Sequence, residues 1–396
     1  MKQLIAGCVA ICLLGTATNT QASDAHTRSA AREMSANAIS YLRSQQDPST
    51  GGWSNRDGGP NFPAISGLVL TGMLMDPRID QRDPQVARGI EYILSFRKPD
   101  GTIHDGMLPS YNTAVCLSAL ARVHTCDAAE AIAAGQNALR AMQWQSAVPP
   151  GAQAYNEPVD PDHPYYGGIG YGTHGRPDLS NLGFMLQALH DTGVSADDPA
   201  FQRALTFLAR TQMLDSVNDM DYADGSSQGG FIYATVPNAQ SVEGRAGQSM
   251  AGMIEESLSD GTTVSRLRAY GSMTYFGFKS LIYADLGPDD ERVRAALGWI
   301  TRHYTLEENP GLGTDGVYYY ILSFARGLEA FGHDTLEVHS AQGSAETRHW
   351  KRDLVSRLAE LQQDDGSFRT LDDRWMENNP VLITAYALIA LQIAGQ

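Results

Sequence analysis

Apolar residues recur along the chain in a pattern that predicts paired helices. The first helix of each pair carries an apolar stripe at helical spacing and a polar opposite face, as around Tyr41, Tyr92 and Phe207. The second helix is apolar on nearly every side, which is typical of a helix buried among neighbours. These second helices are predicted at residues 65–74, 112–122, 179–190, 272–285, 317–330 and 381–393. The pattern therefore predicts six helical hairpins, each with one outer and one inner helix.

Glycine-rich turns join the two helices of each pair. Three of them follow a glutamine: Gln46 precedes Gly51-Gly52-Trp53, Gln212 precedes Gly229-Gly230-Phe231, and Gln362 precedes Asp365-Gly366-Ser367-Phe368. Glycine supplies the left-handed backbone conformation that commonly ends a helix. The last predicted helix, 381–393, is as apolar as the others and has no polar cap after it, which favours closure over an open stack of repeats. We predict an all-α fold in which six hairpins close into an α/α toroid, an (α/α)6 barrel.

The N-terminal segment is typical of a secretory signal peptide. Lys2 precedes a short apolar run, and Thr20-Gln21-Ala22 resembles a small-residue cleavage site. Residues 1–22 are therefore predicted to be a signal peptide. Residues 23–396 are predicted to form one toroid domain with an irregular insertion at about 213–266. Lipoprotein processing at Cys8 is the alternative, because Ile5-Ala6-Gly7-Cys8 looks like a lipobox.

Composition and charge narrow the possible partners. The chain has 396 residues, and 42% of them are hydrophobic, which is enough for a large core. Its formal net charge of −16 disfavours nucleic acid and anionic membranes, since both require a cationic surface. No later stretch approaches the roughly 18 consecutive apolar residues of a transmembrane helix. We expect an exported protein, periplasmic or secreted, with no transmembrane anchor; its oligomeric state stays open.

The repeats resemble those of a known superfamily. The elements Gln45 to Trp53, Gln212 to Phe231 and Gln362 to Phe368 look like the QW repeats of triterpene cyclases. The chain is thus similar to the α/α-toroid superfamily of squalene cyclases and protein prenyltransferase β-subunits, over nearly the whole mature sequence. The segment 270–275 and the run Tyr318-Tyr319-Tyr320 resemble those of an exported bacterial branch of that superfamily. The resemblance implies a toroid with a central cavity for an isoprenoid or other lipid-like small molecule.

The activity motifs of these relatives are missing from the sequence. The Asp-x-Asp-Asp motif, whose central acid protonates an alkene in class II cyclases, does not occur. Where prenyltransferases place their zinc ligands, this chain has Tyr270-Gly271-Ser272 and Tyr320, which cannot supply the ligands that zinc prefers. The Cys-Gly-Glu-Gln string of thioester domains is also missing. We therefore predict neither a metal nor a cofactor.

Tyrosines form the most prominent candidate for a binding surface. Tyr318, Tyr319 and Tyr320 open the fifth inner helix, and three successive residues sweep about 200° around a helix axis. Tyr270, Ser272 and Tyr275 open the preceding inner helix, so the two segments are predicted to form a cavity wall. Aromatic faces there would stabilise an isoprenoid or a carbocation. Core packing of the same tyrosines is the alternative.

Two asparagines and three aspartates complete the candidate residues. Asn112 and Asn181 occupy equivalent places on two inner helices, where they either point into the cavity or cap helix starts. In the long irregular stretch after Gln212, a lid is predicted to bring Asp219 or Asp221 to the mouth as an acid. A solvated acidic loop or a calcium site would explain the same residues.

Three functions are compatible with the sequence. The first is a terpene cyclase-like or prenyltransferase-like protein that binds, and as an enzyme transforms, a lipid-like substrate in its central cavity. The second is a secreted glycosidase or polysaccharide lyase, since six-hairpin barrels also support that chemistry. It would use a pair of carboxylates such as Asp315 and Asp221. The third is a non-catalytic binding scaffold.

Overall fold

The structure is a computed structural model that describes residues 6–53, 60–172, 176–235, 248–257, 260–339 and 344–396, with side chains from residue 23 onward. These ranges contain twelve α-helices that match the predicted alternation, and the mainly helical fold is confirmed. They are α1 (Ala6–Ser44), α2 (Pro63–Leu74), α3 (Pro84–Leu94), α4 (Pro109–Leu120), α5 (Cys126–Met142), α6 (Leu179–Asp191), α7 (Pro199–Thr211), α8 (Gly271–Tyr283), α9 (Glu291–Arg302), α10 (Val317–Phe331), α11 (Trp350–Leu361) and α12 (Pro380–Ala394).

The even-numbered helices contact one another in a closed cycle. α2 packs against α4, α4 against α6, α6 against α8, α8 against α10, α10 against α12, and α12 against α2 again. The odd-numbered helices pack on this cycle, for example α3 on α2 and α9 on α8, and α1 packs on α12. Small residues let the inner helices approach closely: a Cβ on Gly72 would lie 2.8 Å from Leu388. The first and last hairpins are therefore neighbours.

Polar caps and prolines fix where the helices begin. Asp83, Asp198 and Asp290 each accept a backbone N–H in the first turn of an odd-numbered helix. Such a cap satisfies a donor that has no partner within the helix. Proline occupies the first position of α2, α3, α4, α7 and α12, where its fixed φ suits the helix and its missing N–H is not needed.

Glutamine side chains join four of the turns to the next outer helix. The Gln46 carboxamide donates to the carbonyls of Gly51 and Gln85, both at 2.8 Å. The same arrangement recurs with Gln143 to Gly167 and Ala200, Gln212 to Gly229 and Arg292, and Gln362 to Gly366 and Met34. An amide N–H₂ has two donors, so one side chain satisfies two carbonyls. The predicted glutamine repeat thus has a definite structural role.

Two β-hairpins interrupt the helices and correct the all-α prediction. β1 (Met253–Ser257) pairs antiparallel with β2 (Thr263–Leu267), inside the stretch predicted to be irregular, and a 3-10 turn (Asp221–Ala223) precedes them. β3 (Thr335–His339) pairs antiparallel with β4 (Ala345–His349), between α10 and α11. Each strand has only five residues, too short for a clear alternating pattern in the sequence. In the described part of the chain, no helix has the length and hydropathy needed to cross a membrane.

Candidate functional site

The first turns of the six even-numbered helices surround one cavity of about 220 Å³. Each helix contributes its second or third residue to the lining: Ile65, Tyr111, Asn181, Ser272, Tyr319 and Leu382. The inner helices therefore all point their N-terminal ends at this cavity. Their C-terminal ends lie on the opposite face of the ring of helices.

Aromatic side chains dominate the wall of the cavity. Among the described residues, six tyrosines line it: Tyr111, Tyr171, Tyr233, Tyr270, Tyr319 and Tyr386. Phe62, Phe184 and Trp375 add three further rings. Aromatic faces bind apolar groups and also attract cations. The lining is therefore suited to an apolar or unsaturated molecule.

Two pairs of hydroxyl groups on the lining are hydrogen-bonded to each other. Tyr319 and Ser180 share a hydrogen bond of 2.7 Å between their hydroxyls, and the hydroxyls of Tyr171 and Tyr233 are 3.3 Å apart. Burial raises the pKa of Tyr233, and that of Tyr319 lies well above its ordinary value for the same reason. These phenols stay neutral, so they offer hydrogen bonds without charge.

A stack of rings closes the cavity on its inner side. Phe276 and Tyr319 stack with ring centroids 5.2 Å apart, and Phe184 packs against Phe276 at 5.3 Å. A Cβ on Gly183 would lie 2.2 Å from Phe276, so glycine is needed to admit this ring. The aromatic floor (Phe184, Phe276 and Tyr319) thus separates the cavity from the C-terminal end of the cycle.

A buried carboxyl group, that of Asp178, contacts a residue of the cavity lining from behind. Asp178 is fully buried at the start of α6 and accepts hydrogen bonds from the backbone N–H and the side-chain amide of Asn181, both at 2.8 Å. Burial raises the pKa of Asp178 to about 6, and the hydrogen bonds from Asn181 offset only part of that rise. Because Asn181 lines the cavity, Asp178 fixes the orientation of an amide that faces it.

The segment that leads into α12 forms part of the mouth. Trp375 and Met376 line the cavity although they are 42% and 38% exposed, and both have positive φ, 55° and 68°. Left-handed backbone is costly for such side chains and is kept only where contacts hold it. Arg374 stacks on the Trp375 ring at 4.4 Å and forms an ion pair with Asp315. We call residues 374–377 the mouth strap.

Glu377 anchors the mouth strap to the start of α10. This fully buried side chain accepts hydrogen bonds from the backbone N–H groups of Tyr319, at 2.7 Å, and Tyr318, at 3.4 Å. Burial raises the pKa of Glu377 to about 7, against these hydrogen bonds and with a further contribution from Asp372 and Asp315. The carboxyl therefore changes charge near neutral pH.

Four of the predicted binding residues line the cavity: Asn181, Tyr270, Ser272 and Tyr319. The other four pack elsewhere. Asn112 accepts a hydrogen bond of 2.9 Å from the backbone N–H of Ala64, in the first turn of α2. This contact matches the interpretation of Asn112 as a residue that caps a helix start. Tyr320 donates to the carbonyl of Thr305 and Tyr318 to that of Arg369, and the Tyr275 ring packs against Tyr320.

The three predicted acids lie outside the cavity lining. Asp219 forms a two-pronged ion pair with the buried Arg210, both hydrogen bonds measuring 2.7 Å. That contact holds the pKa of Asp219 below its ordinary value. Asp221 is exposed at the start of the 3-10 turn, and Asp315 is bound to Arg374. No group of three or more His, Cys, Asp or Glu side chains suited to a metal occurs in the described ranges.

Several residues of the site escaped the sequence analysis. Asp178 precedes an apolar helix, where an aspartate is expected as an ordinary N-cap, and nothing nearby indicates its complete burial. Tyr111 is the third residue of α4 and Tyr386 the seventh of α12, and an aromatic residue near the start of an apolar helix was a usable signal. Tyr171, Tyr233 and Trp375 come from loops, whose path the helical pattern does not predict.

Comparison with known proteins identifies a shared fold. No protein-family model and no curated protein matches the chain. Two structures of the type II terpene cyclase MstE from Scytonema, one with merosterolic acid A as product and one with geranylgeranyl dihydroxybenzoate as substrate, each match with a TM-score of 0.52. Both are 13% identical, over 93% of this chain and 98% of theirs. A glycosidase matches with a TM-score of 0.50 and 10% identity over the same shares. Similarity at this identity establishes the fold and leaves activity open.

Proposed function

We propose that the protein is an α/α toroid of the terpene cyclase and prenyltransferase type, and that it binds an isoprenoid or other lipid-like molecule in its aromatic cavity. The observation that carries the proposal is the lining itself, with six tyrosines and three further rings around about 220 Å³. Ligand sites of this kind are mostly apolar with a few placed polar groups. Here the polar groups are neutral hydroxyls and the amide of Asn181.

Within this proposal, Asn181, Tyr270, Ser272 and Tyr319 contact the ligand. Asp178 acts as a positioning residue, because it holds the Asn181 amide from behind. The Ser180–Tyr319 hydroxyl pair lies on the lining and offers a hydrogen bond to a hydroxyl or carbonyl at one end of the ligand. The aromatic floor bounds the apolar body of the ligand.

Co-purification and a filled-cavity variant test this proposal. Protein purified from its own host is extracted with organic solvent, and the extract is examined by mass spectrometry. Ile65→Trp adds an indole to the lining, and Leu371→Trp adds the same ring at a fully exposed position. We expect a lipid with the wild type and with Leu371→Trp, and its loss with Ile65→Trp while the circular dichroism spectrum is unchanged.

The proposal fails if farnesol and geranylgeraniol leave the tryptophan fluorescence and the melting temperature of the wild type unchanged and no lipid is extracted. It also fails if Ile65→Trp retains bound lipid as well as Leu371→Trp does.

A carbohydrate-active enzyme is the second candidate. The exposed Trp375 ring at the mouth is the observation in its favour, since sugars stack on such rings. Among the described residues, however, the cavity lining contains no Asp or Glu. Binding of oligosaccharides measured by calorimetry, with Trp375→Ala as the variant, would favour this candidate over the first. The third possibility is a non-catalytic binding scaffold, which would bind a ligand without turning it over.

We also propose that residues 1–22 are removed on export. The intact mass of the protein recovered from its host, with N-terminal sequencing, checks this directly. A mature chain that begins at Ser23 supports it. A lipid-modified Cys8 or an intact Met1 contradicts it.

A further inference from the structure

A second, much smaller cavity lies beyond the aromatic floor, in the half of the cycle where the inner helices end. Its volume is about 20 Å³, which is room for one particle of the size of a water molecule. Phe184 and Phe276 of the aromatic floor line it on one side. Two buried cations, Lys279 of α8 and Arg326 of α10, line it as well.

Both cations are almost fully removed from solvent. Lys279 is 2% exposed and Arg326 is 8% exposed. Burial of an uncompensated charge is strongly unfavourable, so buried charges are normally paired. The Lys279 ammonium donates to Gln187 Oε1 at 2.8 Å and makes a long contact of 3.4 Å with the Gly183 carbonyl. In the described structure no further acceptor takes its third proton, and the ammonium lies 4.7 Å from the centre of the Phe276 ring.

The Arg326 guanidinium lacks hydrogen-bond partners in the described part of the chain. Among the described residues, its guanidinium makes no hydrogen bond or ion pair, although the side chain is more than nine-tenths buried. The Ser118 hydroxyl, on α4, lines the same cavity at 7% exposure and is also without a hydrogen-bond partner there. The unsatisfied groups that face this cavity are therefore an ammonium, a guanidinium and a hydroxyl.

The charges around the cavity do not balance. Lys279, Arg326 and Arg122 interact electrostatically with two carboxylates, Asp191 and Glu329. With all five ionised, these groups leave one positive charge in excess, although burial lowers the pKa of Lys279 to about 7. Neither carboxylate lines the cavity, whereas both buried cations do. Oδ1 of Asp191 accepts a hydrogen bond from Gln187 at 2.9 Å, and its buried Oδ2 has no hydrogen-bond partner in the described structure.

We propose that this small cavity is a binding site for a monoatomic anion, a halide such as chloride, held between Lys279, Arg326 and the Ser118 hydroxyl. Lys279 and Arg326 both present N–H donors to the cavity, and an anion there accepts hydrogen bonds from both and adds negative charge. A cavity of about 20 Å³ suits a monoatomic anion better than phosphate, sulfate or a carboxylate. Lys279, Arg326 and Ser118 do not line the aromatic cavity. The proposed anion site therefore does not depend on whether a lipid binds there.

Bromide diffraction on the wild-type protein tests the proposal directly. Crystals grown in sodium bromide are measured at the bromine absorption edge. We expect an anomalous peak inside the cavity, between the Lys279 ammonium and the Arg326 guanidinium. Density for a water molecule without anomalous signal in the cavity would overturn the proposal, as would a cavity with no density.

A solution experiment adds a matched pair of variants. Melting temperatures are compared in sodium chloride and sodium gluconate at equal ionic strength. At a chloride concentration tenfold above the dissociation constant, the wild type should melt about 2 °C higher in chloride. Lys98→Met, at an exposed position, should keep this difference, and Lys279→Met should lose it. If Lys279→Met does not fold, Ser118→Ala takes its place, with a reduced chloride effect expected. An equal melting temperature of the wild type in both salts contradicts a stabilising halide.

Discussion

The side-chain amide of Gln362 donates a hydrogen bond of 3.0 Å to the carbonyl of Met34, joining residues 328 positions apart. The same amide also reaches the carbonyl of Gly366, at 3.2 Å. This contact repeats, between the last hairpin and α1, the link that Gln46 makes between α1 and α3. The first and last hairpins are thus connected in the same way as consecutive ones.

Gln362→Ala should weaken this connection specifically. Loss of two hydrogen bonds is expected to lower the free energy of unfolding by about 1–3 kcal/mol. Hydrogen exchange should become faster in the part of α1 around Met34 and in α11. Gln46→Ala removes the equivalent pair of bonds and is the control, with faster exchange in α3. Unchanged exchange around Met34 in Gln362→Ala would contradict a structural role for the closing contact.

Gly167 should be far less tolerant of substitution than another glycine with the same backbone angle. Gly167 has φ of +82°, and a Cβ there would lie 1.9 Å from the Arg203 carbonyl oxygen. Gly193 has φ of +79°, and a Cβ there would meet nothing within 4 Å. Gly193→Ala should cost only about 1–2 kcal/mol, the cost of left-handed backbone. Gly167→Ala should cost about 4 kcal/mol or more, since backbone must move. Urea unfolding of the two variants measures this difference. An equal loss of unfolding free energy in both would contradict a close contact between the turn at Gly167 and α7.

The Ser180–Tyr319 hydrogen bond should stabilise the inner helices across the cavity. These residues lie on α6 and α10, which are separated in the cycle by α8. A double-mutant cycle with Ser180→Ala and Tyr319→Phe should give a coupling energy of about 1 kcal/mol in urea unfolding. Additive effects of the two changes would show that the hydroxyl pair contributes nothing to stability.

Glu377 should make stability depend on pH between about 4.5 and 7. Its folded pKa, about 7, lies above the ordinary value of 4.5, so the folded protein binds a proton more tightly than the unfolded chain does. The resulting stabilisation is complete below pH 4.5 and is lost as the pH rises toward 7. Glu377→Gln is neutral throughout. The unfolding free energy of the wild type relative to this variant should therefore fall by on the order of 3 kcal/mol between pH 4.5 and pH 8.

Urea unfolding at several pH values in this window measures the effect. Glu360→Gln, on the exposed face of α11, is the control and should follow the wild-type profile. A wild-type profile parallel to that of Glu377→Gln would contradict a buried carboxyl that titrates near neutral pH.

Arg374 should slow the escape of a bound ligand through the mouth strap. Arg374→Ala removes the ion pair with Asp315 and the contact with the Trp375 ring. Each contact contributes up to about 1 kcal/mol at an exposed site, so the loss of both should make dissociation up to about thirtyfold faster. Stopped-flow measurement of farnesol release checks this, with Arg369→Ala, whose ion pair with Asp365 is also exposed, as the control. Equal release rates in the two variants would show that the mouth strap does not control the release of the ligand.

The helical part of the fold could be predicted because its signals are local. The period of apolar residues predicted the six inner helices, and the glutamine and glycine positions predicted the turns. Gln362 and Gly366 repeat the pattern of Gln46 and Gly51, so even the contact between the last hairpin and the first has a signal in the sequence. The β-hairpins were missed because strands of five residues carry too little periodicity.

The sequence by itself determined which segments are helices and that aromatic residues gather at the starts of the inner ones. Only the tertiary structure decided which aromatic residues face the cavity. Three consecutive tyrosines point in three directions around α10, and the packing of α8 and α12 leaves Tyr319 alone of these on the lining. The same holds for the carboxyls: Asp219 meets Arg210 and Asp178 becomes fully buried through contacts between distant segments. Periodicity along one helix reports burial, but the direction of a side chain toward a shared cavity depends on how all six inner helices pack around it.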